Sequence, residues 1–197
     1  MIDNDRSCTT DAAPAPANGP VIAAELPNTS MHWQETLRDG TRVLIRPVHA
    51  DDAAIERAFV ERLSPEARAN RFLGQVAVTD DLIRKLTTID YQRDMAFVAL
   101  HHESGSKAEI GASRLYRNAD QASCECSVVV ADAWQGKGLG TILMRHLIDE
   151  ARRRGFKRMI SIDAVGNTGM RKLALELGFV RTTHPDYRDE AVHTLEL

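Results

Sequence analysis

Residues 124–141 read CECSVVVADAWQGKGLGT, and this stretch decides the fold. An apolar, strand-like run ends at Val130, and a turn, three glycines and an amphipathic stretch typical of a helix follow it. The glycines, Gly136, Gly138 and Gly140, occupy alternate positions, which indicates that bare backbone approaches another group closely. Because the first turn of a helix presents unpaired N–H groups and the positive end of its dipole, we expect this loop to bind a phosphate.

Spacing distinguishes three glycine-rich patterns that bind phosphates. In a nucleoside triphosphate loop, Lys and then Ser or Thr follow the last glycine, whereas Lys137 is followed by Gly138. A dinucleotide fingerprint has the spacing GxGxxG and an acid about 20 residues later. Here the third glycine comes one position early and Asp163 comes late, so a dinucleotide-binding module is the weaker alternative. The pattern that remains is QxxGxG, over residues 135–140.

The flanking segments predict helices packed on one sheet. Strand patterns occupy residues 41–48, 95–101, 108–116, 124–130, 158–163, 179–183 and 191–197. Helix patterns occupy residues 51–63, 79–86 and 166–177, another helix begins at residues 64–66, and a further one follows the glycine loop and ends at Arg154. Short turns favour antiparallel neighbours, and the helix between the fourth and fifth strands predicts that those two are parallel. The predicted fold class is α/β (α+β), a mixed, mostly antiparallel sheet of six to seven strands flanked by helices.

Length and composition fit one globular domain with an appendage. The chain has 197 residues, of which 43% are hydrophobic and 27% charged. Residues 11–20 read DAAPAPANGP, which has no apolar period and cannot bury enough surface to offset its ordering entropy. We therefore expect a disordered tail at 1–30 and a single domain at 31–197.

Charge and composition also argue against several classes of function. The net charge of -3 gives no basic field, so we expect no nucleic-acid partner. No apolar run approaches the roughly 18 residues of a membrane span, and Asp3 and Asp5 stand where a secretory signal carries positive charge. A cytoplasmic protein without a membrane partner follows as the expectation. Three cysteines and seven histidines show no zinc-like spacing, so no metal is expected.

The glycine loop and its neighbours resemble a known family. Residues 135–140, with Val128-Val129-Val130 before them and Asn167 and Leu177-Gly178-Phe179 after them, resemble the acyl-CoA site of the GCN5-related N-acetyltransferases, the GNAT family. The resemblance covers about residues 42–197. The pieces at 63–65, 71–73, 89–91 and 95–97 are similar to the acetyltransferase domain of bacterial protein lysine acetyltransferases.

This resemblance implies that the chain binds acetyl-CoA as its cosubstrate. The CoA pyrophosphate would be held by the backbone amides of Gln135, Gly136, Lys137, Gly138, Leu139, Gly140 and Thr141. The backbone of Val128, Val129 and Val130 would pair with the pantetheine amides as a partial extra strand. The side chain of Asn167 would donate a hydrogen bond to the cofactor arm.

Acetyl transfer to an amine needs a base, and Glu125 is the candidate. It lies ten residues before Gln135 on the strand that would lead to the thioester, where the family places a glutamate. By the period of a strand, Glu125 shares the face of Ser127 and Val129. A second interpretation stays open, in which Glu125 forms a cross-strand ion pair with Arg114 or Arg117.

The general acid and the acceptor are less defined. Many GNAT proteins use a tyrosine four residues before the Gly-Phe pair, where this chain has Ala174, and Tyr116, Tyr187 or solvent are alternatives. By the resemblance alone, we expect direct transfer in a ternary complex to an amine, specifically a protein lysine. A homodimer is left open. The alternative from another class is a non-catalytic module that senses acyl-CoA.

Overall fold

The computed structural model describes residues 31–103, 105–182 and 190–197. The predicted tail at 1–30, the predicted closing turn at 184–186 and Tyr187 lie outside these residues. The strands are β1 (Trp33–Thr36), β2 (Arg42–Pro47), β3 (Met95–Glu103), β4 (Ser106–Arg117), β5 (Ser123–Val130), β6 (Arg158–Ala164), β7 (Val180–Thr182) and β8 (Glu190–Glu196). The helices are α1 (Ala53–Arg62), α2 (Pro65–Phe72), α3 (Asp80–Thr87), α4 (Leu139–Arg153) and α5 (Thr168–Glu176).

The described strands form one sheet in the order β1-β2-β3-β4-β5-β6-β8-β7. Within it, the β5–β6 pair is parallel and the other pairs are antiparallel. This confirms the mixed, mostly antiparallel sheet and the parallel pair on either side of the glycine loop and α4. The sheet has eight strands, against the predicted six to seven, and the additional strand is β1.

Strand β1 was not predicted because one of its two inward-facing residues, Glu35, is polar. Its sequence is WQET, in which Trp33 and Glu35 are half-buried and the other two residues are exposed. The Trp33 ring stacks on the His146 ring of α4, with centroids 4.3 Å apart, and His146 Nε2 lies 2.8 Å from Glu35 Oε1. Glu35 stands where a strand pattern would show a second apolar residue. Its carboxylate is paired with His146, which lies 111 residues away in the sequence.

Alternation along β5 separates two hydrophobic cores, one on each face of the sheet. Cys126 packs in a core with Leu147 of α4 and Ala174 of α5. Val129 packs in a different core with Phe59 of α1. Helices α4 and α5 thus cover one face and α1 covers the other, which confirms the predicted division of the two faces of β5.

Two predicted helix starts are confirmed by their caps. Ser64 Oγ accepts a hydrogen bond from Ala67 N–H at 3.1 Å, and Pro65 occupies the first helical position of α2. Thr79 Oγ1 accepts from Leu82 N–H at 3.2 Å at the start of α3. Ser64 Oγ also donates to Asp132 Oδ1 at 2.7 Å, which ties the start of α2 to the segment after β5.

Strands β5 and β6 diverge part-way along their length. Their pairing covers Ser123 to Cys126 on β5 and Arg158 to Ser161 on β6. Beyond that point β5 continues beside β4 as far as Val130, and β6 continues beside β8 as far as Ala164. We call the point of divergence, at Cys126 and Ser161, the fork. It leaves one edge of each strand open inside the sheet.

Candidate active site

The loop between β5 and α4 depends on glycine conformations. Gly136 and Gly138 have φ of 75° and 89°, which lie in the left-handed region. Gly140 lies in the first turn of α4, where an added Cβ would lie 3.4 Å from Leu173 and 3.8 Å from Val130. The first two glycines shape the turn, and the third lets the start of α4 pack between β5 and α5.

The N-terminus of α4 presents backbone donors. The helix has no side-chain cap, and its N-cap position is Gly138. Ile142 N–H donates to Gly138 O at 3.1 Å. The N–H groups of Leu139, Gly140 and Thr141 precede that bond and point out of the helix end. Together with the helix dipole, these three donors form a site that suits an anion.

The glycine loop is braced by the β1–β2 turn, residues 37–41. Arg38 N–H donates to Lys137 O at 3.0 Å, and the Arg38 side chain packs on Gly138, where an added Cβ would lie 3.3 Å from it. Lys137 Nζ lies 3.1 Å from Asp39 Oδ2 and 4.6 Å from the centroid of the Trp134 ring. The Lys137 side chain is thereby held against this turn and Trp134.

Beyond the fork, the open edge of β5 carries peptide groups that do not pair with β6. Ala131 N–H donates to Ile110 O on the β4 side at 2.9 Å. Because peptide groups alternate along a strand, those of Val128 and Val130 face the open side. Gln135 Nε2 donates to Val130 O at 3.1 Å from that side, which agrees with this alternation.

A cleft of about 600 Å³ runs from the glycine loop to the fork. Eleven of the twelve predicted site residues line it: Glu125, Val128, Val129, Val130, Gln135, Gly136, Gly138, Leu139, Gly140, Thr141 and Asn167. Lys137 is not among its lining residues. Asn167 is also the N-cap of α5, where its Oδ1 accepts from Met170 N–H at 2.9 Å. Its Nδ2 group is the part left to donate to a ligand.

Glu125 lies at the fork end of the cleft and is half-buried. On β4 its cross-strand neighbour is Tyr116. Burial raises the pKa of Glu125 above its ordinary value, and the nearby Glu190 and Asp163 carboxylates raise it further, whereas the Arg71 guanidinium lowers it. The carboxylate is thus a stronger base than an exposed glutamate.

The alternative ion pair of Glu125 does not form among the described residues. Arg114 lies buried under α1, with Nη2 3.5 Å from Glu56 Oε2. The Arg117 guanidinium lies 4.9 Å from the centroid of the Phe156 ring. Their cross-strand neighbours on β5 are Ser127 and Cys124, so neither arginine faces Glu125 directly.

Comparison with known proteins identifies the family to which this cleft belongs. The model of the acetyltransferase (GNAT) family matches residues 54–179, which is more than half of the chain. The chain belongs to this family. It is 48% identical over 167 residues to Acetyltransferase PA5475 of Pseudomonas aeruginosa, covering 84% of this chain and 90% of that protein. The protein is accordingly an N-acetyltransferase, from a family that uses acetyl-CoA and an amine acceptor.

The acetyltransferase is also similar to two further proteins. It is 30% identical over 145 residues to Acetyltransferase Pat of Mycolicibacterium smegmatis, and the match covers 73% of this chain but 43% of that protein. The crystal structure of the GNAT domain of S. lividans PAT superposes with a TM-score of 0.79 at 24% identity, covering 88% of this chain and all of that domain. That structure supports the fold.

Several residues that line the cleft of the acetyltransferase were not predicted as site residues from the sequence. Arg71 and Leu73 come from the end of α2, Arg38 comes from the β1–β2 turn, and Asp163 comes from β6. Arg71 and Leu73 belong to the segment 71–73, which is part of the family resemblance, so the sequence did offer a signal for these two residues. Arg38 had no signal beyond its turn, because its place beside Gly138 depends on the pairing of β1 and β2.

The arginines at the end of α4 are not among the residues that line the cleft. At the C-terminal end of α4, Arg153 and Arg154 both bind Glu150, at 2.7 and 2.6 Å. No group of three or more His, Cys, Asp or Glu side chains that could hold a metal occurs among residues 31–103, 105–182 and 190–197. Within the same ranges, no helix is both long and apolar enough to cross a membrane.

Proposed function

We propose that this acetyltransferase moves the acetyl group of acetyl-CoA to the side chain of a protein lysine, by direct attack of the amine in a ternary complex. One observation carries the proposal. A single continuous cleft has a backbone anion site at the glycine loop and a half-buried glutamate at the fork. Such a cleft holds a long phosphate-bearing thioester at one end and presents its reactive end to a base at the other.

The residues at the loop end fit CoA. The free N–H groups of 139–141 suit the pyrophosphate, and an added Cβ at Gly138 would press on the Arg38 side chain that braces this loop. We assign the pyrophosphate to the amides of residues 135–141, although Lys137 directs its side chain to Asp39. The open peptide groups of Val128 and Val130 suit the pantetheine amides, and Asn167 Nδ2 suits the same arm.

Glu125 is assigned the role of base. When bound, acetyl-CoA supplies an acetyl group activated as a thioester. A lysine amine has a pKa of about 10.4, so roughly one molecule in 2500 is neutral at pH 7. That fraction corresponds to a cost of about 4.6 kcal/mol, and Glu125 offsets part of it by accepting a proton from the incoming ammonium or amine. Its half-buried position and raised pKa support this role.

The acceptor end of the cleft supports a lysine side chain. Glu125 lies at this end, and Glu190 lies close enough to raise the pKa of Glu125, whereas the Arg71 guanidinium lowers it. Two carboxylates against one guanidinium favour a cation. Leu73 and Tyr116 are exposed apolar side chains on the same walls. Carboxylates beyond an apolar rim fit an ammonium group at the end of a hydrocarbon stem. The open rim also leaves room for a polypeptide to carry that stem.

Two measurements test the proposal. Acetyl-CoA at about 100 times its Kd should stabilise the protein by about 2.7 kcal/mol, whereas NAD should leave the melting temperature unchanged. Free CoA thiol should then appear with lysine-containing proteins and peptides, and should fail to appear when the same peptides carry acetyl-lysine. Release with polyamines but with no peptide would overturn the lysine assignment. Binding without release to any amine would favour the acyl-CoA sensor.

A further inference from the structure

A buried polar cluster lies on β6 and β8 directly beyond the fork. Ser161 Oγ donates to Asp163 Oδ2 at 2.8 Å, and His193 Nδ1 lies 3.5 Å from the same oxygen. Asp163 is 9% exposed, His193 2% and Ser161 1%. Asp163 lines the cleft, whereas its two partners lie behind it. The cluster therefore brings one carboxyl group to the cleft and backs it with an imidazole.

This carboxyl group lies on the opposite side of the fork from Glu125. Ser161 is the cross-strand neighbour of Cys126, which faces the α4 and α5 core, so Asp163, two residues on, shares that face. Glu125 alternates with Cys126 and faces the other way. On its β8 side Asp163 pairs with Ala191, and its β5 side is open. The two carboxyl groups thus flank the fork from opposite faces of the sheet.

The α5 face also has no tyrosine at the position where many GNAT proteins carry a general acid. That position is Ala174, which is fully buried in the core and carries no acidic proton. The charged and titratable groups around Asp163 or along the same wall of the cleft are His193, Glu190, Glu125, Cys126, Lys172 and Glu176. Among these, His193 contacts the Asp163 carboxyl group directly.

We propose that Asp163 donates a proton to the departing thiolate, with His193 as the positioning residue behind its carboxyl group. The proposal rests on the proposed function, because it assigns a second proton transfer in the same reaction. As the C–N bond forms, Glu125 receives one proton from the amine. As the C–S bond breaks, the sulfur takes the electron pair of that bond and the proton of Asp163. Solvent entering the cleft restores the proton to Asp163, and Glu125 releases its proton to solvent.

The burial of Asp163 makes its carboxyl group easier to protonate than an exposed aspartate. Burial raises the pKa of Asp163 above its ordinary value, and the Ser161 hydroxyl and the His193 ring act in the opposite direction. The carboxyl group at the fork is therefore held from behind by two side chains and opens to the cleft on its other side.

The test is a comparison of pH profiles. Asp163→Asn should lower kcat roughly 100-fold, leave the KM for acetyl-CoA within about twofold, and abolish the basic limb of the kcat profile. Ser161→Ala keeps the acid but removes a bond that stabilises its carboxylate. It should raise the pKa of Asp163 and move the basic limb to higher pH, which a merely structural role would not do. Asp149→Asn, an exposed carboxylate on α4, is the charge-matched control.

The outcomes separate this proposal from the proposed function. Retention of the basic limb by Asp163→Asn, with kcat within about threefold of the parent protein, would overturn the role of Asp163. If Asp163→Asn does not fold, an unmoved basic limb in Ser161→Ala overturns it instead. Failure of the parent protein to release CoA thiol with any amine would instead overturn the proposed function, whatever the Asp163 variants do.

Discussion

The two ends of the cleft are built from different parts of the chain. At the glycine loop the contacts offered to a ligand are backbone N–H groups, and all of them come from residues 135–141. At the fork they are side chains from four separated segments, represented by Arg71, Tyr116, Glu125 and Asp163. A backbone site depends on local conformation, whereas a side-chain site depends on strand register. The loop end therefore suits a constant ligand, and the fork end can vary with the acceptor.

The largest expected effect tests the fork end. Glu125→Gln should lower kcat by about 100-fold to 10,000-fold at neutral pH and leave the Kd for acetyl-CoA nearly unchanged, because the amide cannot accept the proton. In the parent protein the pKa of Glu125 is raised above 4.5. Activity should be present above that raised pKa and should be lost as the pH falls through it. Steady-state rates between pH 5 and 9 give both results.

The same variant should recover in part at high pH. Below about pH 10.4, each rise of one pH unit increases the fraction of neutral lysine amine roughly tenfold, which reduces the need for a base. Glu61→Gln, an exposed carboxylate on α1, is the matched control and should keep its activity. Equal turnover by Glu125→Gln and the control at pH 7 would remove Glu125 from the mechanism.

A smaller effect tests the loop end. Gly138→Ala places a Cβ on a residue with φ of 89° and 3.3 Å from the Arg38 side chain. The left-handed conformation costs a non-glycine residue about 1–2 kcal/mol. Without ligand, the variant loop should therefore relax to another conformation, and binding of acetyl-CoA must restore the left-handed one. The Kd for acetyl-CoA, measured by calorimetry, should rise about tenfold with kcat nearly unchanged.

Gly166→Ala is the control for that measurement. Gly166 lies between β6 and α5, its φ is outside the left-handed region, and an added Cβ has open space around it. It should bind acetyl-CoA as the parent protein does. A Kd for Gly138→Ala equal to that of the control would show that the loop conformation does not limit binding.

The smallest effect separates two roles of Asn167. Asn167→Ser keeps an oxygen that can cap α5 through Met170 N–H but loses the Nδ2 donor. The KM for acetyl-CoA should rise a few-fold, as expected for one hydrogen bond of about 1 kcal/mol, at an unchanged melting temperature. Asn167→Ala loses both groups and should also destabilise the fold by about 1 kcal/mol. A KM unaffected in Asn167→Ser would assign Asn167 to the cap alone.

Sequence predicted the loop end better than the fork end for a physical reason. Glycine spacing, the apolar run before it and the helix after it are all local, and the structure has each of them in place. Periodicity also predicted the face of β5 on which Glu125 lies. It did not predict that Arg114 would form an ion pair with Glu56 of α1, because that contact depends on how α1 packs on the sheet.

The parts that sequence did not predict depend on long-range register. Asp163 and His193 meet because β6 pairs with β8, and Ser161 and His193 are cross-strand neighbours there. Strand β1 has a polar inward residue whose partner lies on α4. In both cases a polar pair, buried on β6 and β8 and half-buried on β1, replaces the apolar alternation on which strand prediction relies, so no local pattern marks it.

The brace between the β1–β2 turn and the glycine loop bears on how this domain is trimmed for expression. The segment that matches the family model begins at residue 54 and ends at residue 179, and so omits β1, β2, β7 and β8. A fragment cut at those limits would lose the Arg38 contact with Lys137 and the strand that carries His193. It would also expose the outer edges of β3 and β6, which are paired in the intact sheet. A useful fragment should therefore start before Trp33 and retain β8.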